Sequence, residues 1–317
     1  MPCALTALTL FPPLRSIATI AVTDPFCITE LFPSKARGAA YFATSWGNGK
    51  PREFRDSLDP MDPWFDAGHG SGHYRIDSRG TLTADGDVVR MYVHHPDRKT
   101  EWDENLELTA YITRVSESRR VEYSGPQIFA RTNHGTFTGA FADEEKTPCD
   151  DRGLAGKINL NGTWAFEKET HHGDDNGYAT AGSTLYWPSG FPVGVPVGVN
   201  YVVRNVVAAQ GKPSNVKLEL YVDMSDGRRG GSWTKVTEYT DEGHWADEDT
   251  PCAVGVDPAL LPVRSRLLKD SETQRPELTV YFRHEYAVMR YQRLSVREIE
   301  PLREQRRDGQ SAGRGQE

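Results

Sequence analysis

The chain has 317 residues, and it is rich in turn-forming and aromatic residues, with 29 Gly, 20 Pro, 13 Tyr, 12 Phe and 7 Trp. Its formal net charge of −8 argues against a general nucleic-acid or anionic-membrane binder, because such proteins need a positive field. No run of about 18 apolar residues is present, so no membrane-spanning helix is expected. We expect a monomer without a nucleic-acid or membrane partner.

The first segment, residues 1–27, has two open interpretations. An apolar stretch runs from Ala4 to Phe11 and no acid precedes Asp24, as in a secretory signal, but no basic residue comes before the stretch and Pro12-Pro13 follow it. The segment is therefore either a signal, which would make the protein extracellular, or a leader without fixed structure. Residues 302–317 are predicted to form a disordered tail, because the sequence has no apolar anchor from about Arg303 onwards.

The cysteines bear on whether the protein is extracellular. They are Cys3, Cys27, Cys149 and Cys252, and the last two each end a Thr-Pro-Cys tripeptide in an acidic loop. A Cys149–Cys252 disulfide is the candidate pairing, with two free thiols as the alternative. A disulfide would indicate an oxidising compartment, and no Cys/His spacing indicates a zinc site.

The strand pattern begins in HYRIDSRGTLTADGDVVRMYVH, which predicts three strands with turns at 78–80 and 85–86. NLELTAYITRV then predicts a half-buried strand, with Leu106, Leu108, Ala110 and Ile112 on one face. The same alternation continues to the end of the chain without helical crossovers. Residues 28–301 are therefore predicted to form a single antiparallel all-β domain.

Candidate site residues lie where strands carry polar rows, in QIFARTNH, TWAFEKETHH and VKLELYVDM. Alternate side chains share one strand face, so such rows present amides, charges and rings together. Adjacent His171 and His172 point to opposite faces, so no metal site and no cofactor are expected, although a structural calcium ion in the Asp-rich loops stays open.

Several blocks resemble a group of proteins that share the concanavalin-like lectin and glucanase fold. They are GSGHYRIDSRGTLTADGDVVRMYVHHP, EYSGPQIFARTNHG, WAFEKETHH, VKLELYVDMSDG with Trp233, and LSVREIE. The resemblance implies an all-β, antiparallel β-sandwich of the concanavalin-like β-jelly-roll type over residues 28–301. It implies no reaction.

A looser similarity links the chain to jelly-roll polysaccharide lyases such as alginate lyases of family seven. It implies that Arg131, with Gln127 or Asn133, neutralises a uronate carboxylate. The candidate acids and bases are His134, His172 and Tyr178; the other candidate substrate-binding residues are Lys168, Glu219, Tyr221 and Tyr286. The chain departs from the lyase pattern, because Gln127 is followed by Ile128-Phe129 rather than Ile-His, and no Tyr-x-Lys-x-Gly motif closes it.

These residues favour a carbohydrate-active protein that binds a polysaccharide or oligosaccharide. The first hypothesis is a lyase that cleaves a uronate-containing polysaccharide by β-elimination. The alternatives are a non-catalytic lectin-like domain and a glycoside hydrolase with an atypical acid pair. A hydrolase is disfavoured because the nearest acidic string, from Glu101 to Glu107, places its last acid one position too late. A structural alternative pairs Arg131 with Glu167 or Glu169 across neighbouring strands.

Overall fold

A computed structural model of the chain describes residues 22–97, 100–134, 152–171, 177–208, 213–243, 245 and 279–303. These residues form sixteen strands and three short 3-10 turns, and no α-helix occurs among them. No helix in these ranges has the length and apolarity to cross a bilayer. The strands are β1 (Ala40–Phe42), β2 (Arg52–Arg55), β3 (Leu58–Asp59), β4 (Asp62–Asp66), β5 (His73–Ile76), β6 (Leu82–Val93), β7 (Leu106–Glu117), β8 (Gln127–Thr132), β9 (Gly153–Ile158), β10 (Thr163–His171), β11 (Gly177–Leu185), β12 (Val197–Val207), β13 (Pro213–Asp223), β14 (Thr234–Asp241), β15 (Thr279–Glu298) and β16 (Leu302–Arg303).

One long strand, the 20-residue β15, joins two sheets. Its first part pairs with β8 and its last part with β7, while its other edge pairs with β6 and then β1. The front sheet is β6, the first part of β15, β8, β9, β10 and β11; the back sheet is β1, the last part of β15, β7, β12, β13 and β14. Every described pairing between these strands is antiparallel except that of β12 with β16. The predicted antiparallel all-β architecture is confirmed.

The core lies between the two sheets. A Cβ atom added to Gly156 of β9 would lie 2.8 Å from the Leu220 Cδ2 atom and 3.0 Å from the Tyr201 ring, so β9 packs closely on β12 and β13. The inward faces carry apolar side chains at every second residue, as strand geometry requires. On β7 these are the predicted core residues Leu106, Leu108, Ala110 and Ile112, all fully buried.

Two sequence predictions are wrong in detail. The turn at Asp85-Gly86 does not exist, because β6 runs unbroken through both residues. A Cβ atom at Gly86 would lie 2.9 Å from the Ser71 carbonyl oxygen, so this glycine allows a close backbone approach rather than a turn. The strand β7 is not half-buried, because its outward Glu107 is 2% exposed and accepts hydrogen bonds from the backbone of residues 31 and 32.

The end of the predicted leader packs on the domain. The Asp24 carboxylate accepts hydrogen bonds of 2.8 Å from the backbone N–H groups of Phe26 and Ile28, and Ile28 is buried. Cys27 is disulfide-bonded. Cys149 and Cys252, the pairing that we predict, lie outside the described residues, as do residues 1–21 and 304–317.

His284 faces the core side of β15 as a neutral imidazole. Its Nδ1 atom lies 2.7 Å from the Tyr291 hydroxyl and its Nε2 atom 3.1 Å from the Ala287 carbonyl oxygen. A carbonyl can only accept, so Nε2 donates to it and Nδ1 accepts from the tyrosine. Burial lowers the pKa of His284 from 6.5 to about 3.

We expect His284 to weaken the fold as the pH falls from 6.5 towards about 3. In that window the unfolded imidazole binds a proton and the folded one does not, which lowers the free energy of unfolding by up to about 1.4 kcal/mol per pH unit. A His284→Gln variant, which keeps a donor and an acceptor, should lose this component. Urea unfolding across the pH range measures it, and identical pH dependence in variant and parent would contradict it.

Candidate functional site

The outward side of the front sheet, here called the front face, carries charged, amide and aromatic side chains that are buried rather than solvated. Successive side chains of a strand alternate between faces, so the residues next to the core residues point outward. The front face consists of Arg90, Tyr92, Tyr281, Arg283, Glu285, Gln127, Phe129, Ala155, Lys157, Glu167 and Glu169.

Four of these residues form a polar row directly across four strands. Arg283 of β15 lies opposite Arg90 of β6 on one side and Gln127 of β8 on the other, and Gln127 lies opposite Lys157 of β9. Residues opposite each other in an antiparallel pair have Cβ atoms about 4.5–5.5 Å apart. The row therefore places three cationic side chains and one amide side by side.

Carboxylates hold the cations of the polar row in place. One oxygen of Glu285 accepts hydrogen bonds of 3.1 Å from both Arg90 and Arg283. Lys157 Nζ donates to Glu167 over 2.5 Å. Burial by itself lowers the pKa of Arg283, because it disfavours the charged form. The net effect is a raised pKa, because the guanidinium lies close to Tyr281 and to the carboxylates of Glu285, Glu169 and Glu167. The Arg283 guanidinium is thus held in its charged form.

Gln127 is the exception within the row. It is 1% exposed, and neither its Oε1 nor its Nε2 atom has a hydrogen-bond partner in the part of the chain that the structure describes. The Nε atoms of Arg90 and Arg283 likewise have none there. The polar row therefore presents three unused donors and one unused acceptor.

An aromatic row runs beside the polar row, and on each strand its residue lies two positions away from that of the polar row. The Phe129 and Tyr281 rings stack with centroids 4.4 Å apart, and Tyr281 and Tyr92 stack at 4.8 Å. All three residues are buried. Together the two rows place an apolar flank next to planar hydrogen-bonding groups.

His134 and Tyr178 lie at the margins of the front face. His134 is buried, and its Nδ1 atom is hydrogen-bonded to the Tyr92 hydroxyl while its ring lies 5.1 Å from that of Tyr281. Tyr178 of β11 lies opposite Glu169 of β10. Burial and the Glu169 charge raise the pKa of Tyr178, so its phenol is protonated at neutral pH.

Arg131, the predicted carboxylate ligand, does not belong to the front face. The pairing of β8 with β15 slips at this point, and Arg131 has a left-handed φ of 51°. The resulting bulge breaks the alternation and turns the side chain inward. Its Nε atom donates to the Glu104 carbonyl oxygen and its Nη2 atom to the Asn205 Oδ1 atom, each over 2.8 Å.

Lys168 also faces inward, on the same side of β10 as the core residue Phe166. Its Nζ atom lies 2.9 Å from the Asp241 carboxylate and 2.9 Å from the Trp245 carbonyl oxygen, and it is fully buried. Asn133 serves the backbone, since its Oδ1 atom accepts from the N–H group of Arg152. Neither side chain points towards the polar row.

Glu219 and Tyr221 lie on the outer face of the back sheet, on the opposite side of the sandwich. Glu219 accepts hydrogen bonds from Arg204 and Tyr221 and pairs with Lys235. Tyr286 lies where β15 passes from β8 to β7, with the Arg119 guanidinium 5.1 Å from its ring centroid. His172 lies outside the described residues. Of the predicted set, the structure brings Gln127, His134 and Tyr178 to one face.

Sequence reasoning missed Arg283, Arg90 and Lys157. A usable signal was present in TVYFRHEY, where Tyr281, Arg283 and Glu285 alternate with the core residues Val280 and Phe282. A strand that alternates core residues with tyrosine, arginine and glutamate predicts a functional outer surface.

No protein-family model and no curated protein sequence matches the chain. Among solved structures, a protein of unknown function with a galectin-like fold from Bacillus subtilis is 11% identical with a TM-score of 0.40, over 86% of this chain and 100% of that chain. The VIP36 exoplasmic/lumenal domain bound to Ca²⁺ and Man3GlcNAc is 8% identical with a TM-score of 0.41, over 80% and 93%. Peanut lectin with a 9mer peptide is 12% identical with a TM-score of 0.36, over 78% and 96%. At these values, the fold assignment rests on this chain's own sheets.

Proposed function

We propose that the front face binds a carbohydrate, in the manner of a lectin-like domain. The observation that carries this proposal is the buried Gln127 amide, which has neither of its hydrogen-bonding atoms satisfied by the described residues. Leaving a buried donor or acceptor unsatisfied costs about 1–3 kcal/mol. A ligand that supplies both a donor and an acceptor would offset that cost, and a sugar hydroxyl does both.

The neighbouring groups define which sugars fit best. The unused donors are the Gln127 Nε2 atom and the Nε atoms of Arg90 and Arg283, against a single unused acceptor, the Gln127 Oε1 atom. An excess of donors suits a ligand that is rich in acceptor oxygens, such as a uronate with its carboxylate. The aromatic row would pack against the apolar face of the sugar ring.

Replacing Gln127 by Met separates a binding role from a structural one. Met has a similar length and no strong hydrogen-bonding group, so Gln127→Met should raise the free energy of unfolding by about 1–2 kcal/mol. It should also weaken glycan binding at least tenfold. Titration calorimetry with uronate oligosaccharides, and chemical unfolding of the same samples, measure both quantities.

The matched control is Tyr221→Phe, which removes a hydroxyl from the opposite outer face. It should leave glycan binding unchanged. Neutral oligosaccharides of the same length serve as the ligand control and should bind more weakly than uronates. Gln127→Met binding as tightly as the parent would sink the proposal, whatever its stability.

A second candidate is catalysis of β-elimination, and the position of Tyr178 favours it. Its phenol is protonated and lies within the field of both Glu169 and Arg283. In this reaction Arg283 and Gln127 would hold the uronate carboxylate, and His134 would take the proton α to it. A carbon–carbon double bond then forms as the glycosidic C–O bond breaks, and Tyr178 would give its proton to the leaving oxygen.

Tyr178→Phe tests this second candidate. If the protein is a lyase, the ultraviolet absorbance of the unsaturated uronate product should rise with the parent chain. General acid catalysis contributes about 10²–10⁴-fold to a reaction rate, so the rate should fall by that factor in the variant. Substrate affinity should be retained. Glycan binding without any such absorbance by the parent chain would exclude elimination and leave the lectin-like function.

We also propose that the protein works outside the cell. The disulfide at Cys27 supports this placement, because disulfides persist in oxidising compartments.

A further inference from the structure

Three side chains converge at the β4 edge of the front sheet. Asp66 ends β4, His69 lies in the turn after it, and His94 directly follows β6. The Asp66 Oδ2 atom lies 3.7 Å from the His69 Nε2 atom and 3.8 Å from the His94 Nε2 atom. One donor atom from each residue lies within 4.8 Å of the other two.

The local backbone explains why they meet. Residue Asp66 pairs with Tyr92 in the β4–β6 ladder, which brings the ends of both strands together. The Gly68 N–H group donates to the Asp66 Oδ1 atom over 2.8 Å and leaves Oδ2 towards the histidines. At Gly70, φ is +92° and an added Cβ atom would lie 2.4 Å from the Val88 carbonyl oxygen, so only glycine permits this turn.

Neighbouring groups fix both imidazole rings. The Thr279 Oγ1 atom lies 3.2 Å from the His94 Nδ1 atom, which orients the Nε2 atom of that ring towards Asp66. The Tyr92 ring stacks on His94 with centroids 5.6 Å apart and contacts His69 at 4.6 Å. A ligating histidine almost always has its other ring nitrogen hydrogen-bonded in this way.

We propose that Asp66, His69 and His94 bind a divalent transition-metal ion such as Zn²⁺. Two imidazole nitrogens and a carboxylate oxygen are a typical zinc donor set, whereas calcium and magnesium take oxygen ligands. Zinc bonds of about 2.0–2.1 Å in a tetrahedral site put donor atoms about 3.4 Å apart. The Asp66–histidine separations of 3.7 and 3.8 Å are close to that value, and the two imidazole nitrogens, which lie within 4.8 Å of each other, would move closer together when the metal binds.

Three protein ligands leave a fourth position on the metal for water or a ligand. His69 is only partly buried, so this position is reached from solvent on its side, while Asp66 and His94 are buried. The proposal does not rest on carbohydrate binding, because its ligands are separate from the polar row.

The test uses the untagged full chain, first stripped with a chelator. Calorimetric titration with Zn²⁺ should give one tight site, and Co²⁺ should give the absorption bands of a tetrahedral ion. Loss of an outer hydrogen-bond partner weakens metal binding by about 10- to 100-fold. His69→Gln and His94→Gln each remove a direct ligand, so each should weaken Zn²⁺ binding by more than that. Thr279→Val should weaken it by about 10- to 100-fold.

His73→Gln is the matched control, because this histidine of β5 pairs with Glu53 and lies outside the cluster. It should bind Zn²⁺ like the parent. Circular dichroism confirms folding, and His69→Gln, at the more exposed position, gives the decisive result if a buried variant misfolds. Absence of Zn²⁺ binding by the parent, preference for Ca²⁺, or unchanged affinity in His69→Gln would each overturn the proposal.

Discussion

The sharing of β15 between two sheets is the constraint on which the site depends. Because one strand pairs with β8 first and β7 later, it contributes to both layers, and its alternation is reset at Tyr286 and Arg293, which both have a left-handed φ of 51°. Val280 and Phe282 point into the core, so Tyr281 and Arg283 must point out between β6 and β8. A slip of a single residue would turn the arginine into the core between the sheets and the phenylalanine onto the front face.

Burying the charged and amide groups of the polar row costs free energy, and contacts within the fold offset only part of that cost. Glu285 and Glu167 neutralise cations of the row, yet Gln127 is the only described residue with two buried polar atoms lacking a partner. An apolar residue at this position would leave no such unsatisfied atoms, and Phe129, on the same face of β8, is already apolar and buried. A buried amide in an otherwise packed strand is therefore more consistent with recognition than with stability.

The sequence predicts alternation well and tertiary neighbours poorly. Apolar periodicity identified the inward face of β7, because burial imposes it directly on the residue pattern. The bulge at Arg131 left no glycine to mark it, so the side chain was assigned to the wrong face. Arg283 lies 156 positions after Gln127, and only the sheet order places them side by side. The same limit hides Asp66 and His94, which meet through the β4–β6 pairing.

Polar side chains on the two outer faces differ in what they are bonded to. On the back sheet Glu107 accepts from Arg297 and Asn200, and Glu219 accepts from Arg204 and Tyr221. These networks tie strands and the chain's first described residues together, although the Asn200 Oδ1 and Arg204 Nε atoms within them have no hydrogen-bond partner among the described residues. On the front face the two arginine Nε atoms are unsatisfied in the same way, but Gln127 differs because both of its polar atoms lack a partner among the described residues. The cost of burying unsatisfied polar atoms is therefore concentrated at this one side chain of the front face.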